Sequence, residues 1–237
     1  KRVRNIDYII IVDSIAQKKI IHKLLKSMDI KVRIKYKSRL KIYMKLFKQI
    51  LLNPIRVICS RFMQFYLLKI IYLRKSLCES LKTKNIVLID TFLTPKHIDE
   101  RRWYGTFRDH LSSSQREQTY FVPTLTLFNI KDFFSLIPKI RRESYNKIFK
   151  DEFLQANDLL KSIIKIIQFK SKKLSIFLYS GINITPIFQE SLTFPGDFYT
   201  LLESYLNYYF FFRLSRSEIN VSTTLDWFEG HSIDKAW

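Results

Sequence analysis

The densest chemistry in the chain lies at Leu225 to Trp237, LDWFEGHSIDKAW. Asp226, Glu229 and Asp234 supply three carboxyls, and His231 is the one histidine near them. If the stretch is helical, Asp226, Gly230 and Asp234 share a face, with Glu229 offset. A carboxylate there can hold a sugar hydroxyl or act as a general base, and His231 can share that role. The plainer alternative is a surface segment that buries Trp227, Phe228, Ile233 and Trp237 and leaves the acids in water.

A second group is DERRWYGTFRDH, Asp99 to His110. Arg101, Arg102 and Arg108 suit a phosphate, and Trp103 or Tyr104 can stack on a base or sugar. A solvated loop reads equally well. A third is NITPIFQESL, where Asn183 follows a strand and Gly181. A helix start of that kind attracts an anion or a hydroxyl, although a simple cap accounts for Asn183 first.

These groups need elements to carry them. IDYIIIVDS (6–14), NIVLIDTF (85–92), TYFVPTLT (119–126), KLSIFLYSG (173–181) and INVSTTLD (219–226) read as strands. Helical patterns cover 15–26, most of 31–81, 130–169 with a split near Pro138, 184–192 and 198–215. Pro54 breaks or starts a helix. Alternating strands and helices give an α/β fold, a mostly parallel sheet flanked by helices. In such sheets ligands bind beyond the carboxyl ends of the strands. Asp13, Asp90, Ser180 and Asp226 close four of the strands and are expected on one edge.

Composition narrows the classes. Four glycines in 237 residues exclude a glycine-rich dinucleotide fingerprint and a P-loop. No triad, zinc, kinase or EF-hand signature occurs, and the four histidines are scattered, so no metal and no resident cofactor is expected. Cys59 and Cys78 read as thiols buried in helices, in a reducing compartment. No secretory leader is read at the start, where Lys1 stands in place of methionine and points to processing.

Net charge is +20. From Lys31 to Lys84 fifteen Lys or Arg face one acid, Glu79. This basic helical segment (31–84) attracts polyanions: nucleic acid, anionic lipid or a phosphorylated substrate. A Lys- and Ile-rich coding bias is the bland alternative. The apolar window Gln49 to Leu73 carries Arg56, Arg61 and Lys69 and is therefore not a membrane span. It reads as a core helix, with a helix lying on an anionic bilayer as the alternative.

The segments VLIDTFLTP, RRWYGTFRDHL, YFVPTL, DEFLQANDLLKSI, INITPIFQESL, LNYYFFFRL and DWFEGHSIDKAW resemble, in that order, a group of bacterial surface-carbohydrate (capsule and lipopolysaccharide O-antigen) biosynthesis proteins. That group looks like glycosyltransferases of the two-Rossmann-domain (GT-B) type. The resemblance covers about Ile86 to Trp237. Asp226, Glu229, Ile233, Asp234 and Lys235 match its terminal motif, whereas Gly230-His231 departs from the usual Asn-Gln and puts sugar preference in doubt.

The resemblance implies one Rossmann-like domain over 1–237, with a second half of the family pattern lying beyond it. It implies transfer of a sugar from a nucleotide sugar to a lipid-linked glycan acceptor, in the cytoplasm at the inner-membrane face. Glu229, Asp234 and His231 would be catalytic. Asp90, Arg102, Tyr104, Asn183, Glu190 and Asp226 would bind substrate. A non-catalytic membrane-surface assembly protein and a nucleic-acid-binding protein are the other readings, the latter disfavoured because no nucleic-acid motif is present.

Overall fold

The computed structural model describes residues 9–12, 14–28, 30, 33–36, 38–71, 80–82, 84–94, 104–125, 130–143, 145–171, 174–193 and 198–226. They divide into two compact units. One comprises residues 1–55 and 167–196, the other 56–166 and 197–237. The boundary crosses the basic segment.

In the first unit β1 (Ile9–Val12) pairs in parallel with β2 (Arg33–Tyr36), and α1 (Ile15–Ser27) links them. Ser14 caps α1: its hydroxyl accepts from the Gln17 N–H. The 6–14 run is not the buried strand its composition suggests, because Ile9 and Ile11 are exposed. β2 interrupts a stretch read as helical. RIKY alternates charged and apolar residues, the period of a strand.

Next come α2 (Arg39–Phe47), a π turn (Lys48–Leu52) and α3 (Asn53–Ile71). Pro54 has no N–H to extend an i to i−4 ladder, and the chain passes through the π turn just before it.

The second unit is built on a three-stranded parallel sheet in the order β4-β3-β7. β3 (Asn85–Leu93) is central, β4 (Thr119–Leu125) and β7 (Asn220–Leu225) flank it. β3 is mostly buried and apolar at six of its nine positions, as suits a strand covered on both faces. Pro123 sits in β4 at no cost to the ladder. The Phe121 N–H and carbonyl point outward to Asn146 and Ile148. Pro123, two residues on, has its nitrogen on that same outer side.

Alternation sorts the side chains. Ile86, Leu88, Tyr120 and Val122 pack under Phe65 of α3 and under two later helices. Ile89 and Phe121 lie on the other face against Tyr145, Tyr104 and Phe107.

The remaining helices of this unit are α4 (Ser113–Gln118), α5 (Ile130–Arg142), α6 (Lys150–Phe153), α7 (Ala156–Ser171, whose last turn belongs to the first unit) and α9 (Phe198–Arg216). α5 runs through Pro138 without splitting. α9 buries Phe198, Leu202, Leu206, Phe210 and Leu214, one residue per turn. α3 is the expected core helix, burying Ser60, Arg61, Gln64, Phe65 and Leu68. Cys59, on its outer side, is exposed and not buried; Cys78 lies outside the described residues.

Lys173 to Gly181 does not form a strand of a parallel sheet. Two-residue strands β5 (Leu178–Tyr179) and β6 (Ile182–Asn183) make an antiparallel hairpin in the first unit. Ser180 and Gly181 turn it with φ of 49° and 77°. Two positive φ values in sequence match the twist of a tight hairpin, and glycine adopts one freely. α8 (Thr185–Thr193) follows. The observed class is α/β with parallel-strand sheets and a majority of helix, compatible with a Rossmann-like fold.

Candidate active site

Asp90 lies on β3 on the same face as Ile86 and Leu88. The β3–β7 register sets Ile89 beside Leu225. The next residue along each parallel strand is an aspartate, so Asp226 comes up beside Asp90. Parallel neighbours sit about 4.8 Å apart, close enough for two carboxyls to meet.

Asp90 is 1% exposed, whereas Asp226 is partly exposed. Counted as an ionised acceptor, Asp90 Oδ1 finds no donor among the described residues. A proton resolves this. The Asp226 carboxyl lies within hydrogen-bonding reach, so a protonated Asp90 can donate to it.

Burial is the main force that pushes the Asp90 carboxyl up, to about 7. Lys150 opposes that rise, and the Asp226 charge adds to it. The Asp90 carboxyl therefore takes up its proton near neutrality, under the influence of its neighbour's charge.

Tyr104 closes one side. Its hydroxyl donates to the Asp90 carbonyl at 2.6 Å, and its ring packs edge-on to Phe121 at 6.5 Å. Burial and then the charges of Asp90 and Asp226 push the phenol well up, so it remains a neutral donor. Oγ1 of Thr91, the next residue along β3, is buried and has no hydrogen-bond partner among the described residues.

A buried polar network adjoins the pair. Lys150 Nζ donates to Thr124 Oγ1 at 2.9 Å, Glu203 Oε2 at 3.0 Å and Asn207 Oδ1 at 2.7 Å. All three ammonium protons are thereby used. Arg61 Nε donates to Glu203 Oε1 at 2.8 Å, and its NH1 donates to Asp151 Oδ1 at 2.6 Å. Burial alone would raise the Glu203 carboxyl, but Arg61 and Lys150 overrule it and hold it below the ordinary range. The Tyr199 hydroxyl donates to the Leu125 carbonyl at 3.2 Å, and burial followed by the Glu203 charge raises it far up.

Of the residues singled out in the sequence, Asp90, Asp226 and Tyr104 come together. Glu229, His231, Asp234 and Arg102 lie outside the described residues, as does Asp13. Asn183 and Glu190 belong to the first unit and serve as caps there. Asn183 Oδ1 accepts from the Thr185 N–H at 3.0 Å. Glu190 Oε2 accepts from the Ser14 hydroxyl at 3.0 Å and from the Ala16 N–H, holding the start of α1. Ser180 is a hairpin residue of the first unit and does not close a parallel strand. Arg108 places its guanidinium 5.8 Å from the centre of the Tyr145 ring.

Sequence reasoning missed Arg61, Thr124, Lys150, Asp151, Glu203 and Asn207. A signal exists. Arg61 is one of three charges, with Arg56 and Lys69, that interrupt an apolar window, and Glu203 and Asn207 stand four apart in a helix that buries an apolar residue every turn. Charges so placed are buried with partners or not buried at all.

No group of three or more metal-ligating side chains occurs among the described residues. Set against protein-family models, curated proteins and solved structures, the chain matches none of them.

Proposed function

We propose that the chain is a glycosyltransferase of bacterial surface polysaccharide synthesis, of the two-Rossmann-domain type, moving a sugar from a nucleotide donor to a hydroxyl of a lipid-linked glycan. One observation carries this reading: the Asp90–Asp226 carboxyl pair, where the carboxyl end of β7 meets the later half of β3 in a parallel sheet, with Asp90 titrating near 7. The segments quoted above for the resemblance support the substrate class.

In the reaction, the acceptor oxygen bonds to the anomeric carbon of the donor sugar. The bond from that carbon to the phosphate oxygen of the nucleotide breaks, and its electron pair leaves with the nucleotide. The hydroxyl proton passes to the deprotonated carboxyl pair, reached through the partly exposed Asp226. A base with a pKa near the working pH is the efficient choice, and such a base is worth about 10²–10⁴-fold. Glu229 and Asp234, which belong to the quoted terminal motif, would hold sugar hydroxyls beside it.

The test is nucleotide release from a panel of UDP-, GDP-, dTDP- and CMP-sugars, with and without glycan acceptor, alongside calorimetric donor binding. Asp90→Asn is expected to bind donor and to lose about 10²-fold or more in turnover. Absence of binding to every donor, or full turnover in Asp90→Asn, would remove the proposal.

A further inference from the structure

The helix α2 and the π turn after it are turned inside out relative to an ordinary surface helix. Ile42 is buried at 9%, while Leu40, Tyr43, Met44 and Phe47 are exposed at 71, 62, 63 and 58%. Those four stand at i, i+3, i+4 and i+7, the spacing of one helical face, and Ile42 falls on the opposite side. Ile50, Leu51, Leu52 and Ile55 extend the exposed apolar run. Soluble surfaces rarely display so much contiguous apolar area without a partner.

The charge around this face says which partner. Lys41 and Lys48 are exposed on its flank. No acid occurs between Asp29 and Glu79, a stretch holding Lys and Arg throughout. A nucleic acid would meet the cations but not the leucine, methionine and phenylalanine side chains. A protein core would take the apolar residues but gains nothing from an acid-free surround. An anionic bilayer takes both: acyl chains receive the apolar face, and headgroup phosphates receive the lysines. No described helix is long and apolar enough to cross a membrane, so the contact is with one leaflet. Ser38 fixes the start of α2, its hydroxyl accepting from the Lys41 N–H at 3.3 Å.

From this geometry we infer that residues 39–55 form an in-plane membrane-docking surface specific for anionic lipid. This does not depend on the sugar-transfer reading, since it concerns residues of the first unit and needs no donor.

The experiment is co-sedimentation of the full chain with phosphatidylcholine vesicles, with and without phosphatidylglycerol. Binding is expected only with the anionic lipid and is expected to weaken steeply as salt rises. Phe47→Glu with Leu40→Glu should lower binding about tenfold or more, because both side chains leave the acyl region. Lys41→Glu with Lys48→Glu keeps the apolar face and should lower it comparably. Both variants should keep the circular dichroism spectrum and melting temperature of the parent. Equal binding to neutral vesicles, or no binding to either, overturns the inference. So does a lowered melting temperature in Phe47→Glu, which would mean that the face is covered within the folded chain. A concentration-dependent dimer that Phe47→Glu dissociates also overturns it, giving the face to a second copy.

Discussion

Asp90 and Asp226 stand side by side on neighbouring parallel strands, the first buried and the second partly exposed. That difference in burial divides their labour. Asp226 can meet a ligand, while Asp90 stores the proton that their proximity and its burial hold to about pH 7. Lys150 reaches the pair only through its charge, since its three protons are bonded elsewhere.

The first prediction concerns stability against pH. Asp90 takes up its proton near 7 in the fold but near 3.8 in the free side chain. Between those values the folded chain binds more protons than the unfolded one, so stability falls as pH rises. The contribution is complete below about pH 4 and is lost above about pH 7, and it is on the order of 4 kcal/mol. Asp90→Asn imitates the protonated form. Urea titrations at several pH values should show its slope between pH 4 and 7 flattened relative to the parent.

The second prediction is a pair of opposite shifts. Asp226→Asn removes a charge that raises the Asp90 carboxyl, and its midpoint should fall by about one unit. Lys150→Met removes a charge that lowers it, and its midpoint should rise. Carboxyl-carbon NMR titration of labelled aspartate reads both. Under the proposed chemistry the rising limb of the pH–rate profile moves in the same two directions. Two shifts of the same sign would show that the pairwise charges do not govern the site.

The parts of this site differed in how plainly the sequence announced them. β3 and β4 are short, largely apolar runs, β7 is short and rich in β-branched residues, and a parallel arrangement then brings Asp90 and Asp226 together. Nothing local separates SIFLY, which makes a small exposed hairpin, from a sheet strand, because both are apolar and short. RIKY was masked by its lysine-rich surroundings. The charges of Arg61, Lys150 and Glu203 were visible, but their pairing spans 142 residues in the case of Arg61 and Glu203. Only the packing of α3, α6 and α9 onto one sheet face brings them together.

The third prediction concerns the hairpin. Gly181→Ala puts a Cβ on a residue with φ of 77°, where no neighbour is in the way but the backbone itself is strained. A cost of about 1 kcal/mol is expected. Ser180→Asn should gain a few tenths, about 0.5 kcal/mol at most, since asparagine tolerates the left-handed region better than serine. Proteolytic sensitivity at residues 178–183 reads the local effect.

The fourth prediction separates the stability of the Arg61 network from its specificity. Arg61 bridges Asp151 and Glu203, all three nearly inaccessible to water. Arg61→Met leaves both carboxylates buried, and of the two only Glu203 keeps a cation, Lys150. Removing one member of a buried charge cluster costs about 3–5 kcal/mol, so the urea midpoint should drop sharply. The loss should be larger at pH 7 than at pH 4. In the parent Glu203 is held below the ordinary carboxylate range and its stabilisation persists until pH falls through that lowered value, whereas without Arg61 the Glu203 carboxyl loses the main charge that lowers it and takes up a proton more readily. Arg61→Met combined with Asp151→Leu and Glu203→Gln removes the orphaned charges and should recover much of the loss. If the single and triple variants are equally unstable, the guanidinium is holding the helices by shape and not by charge.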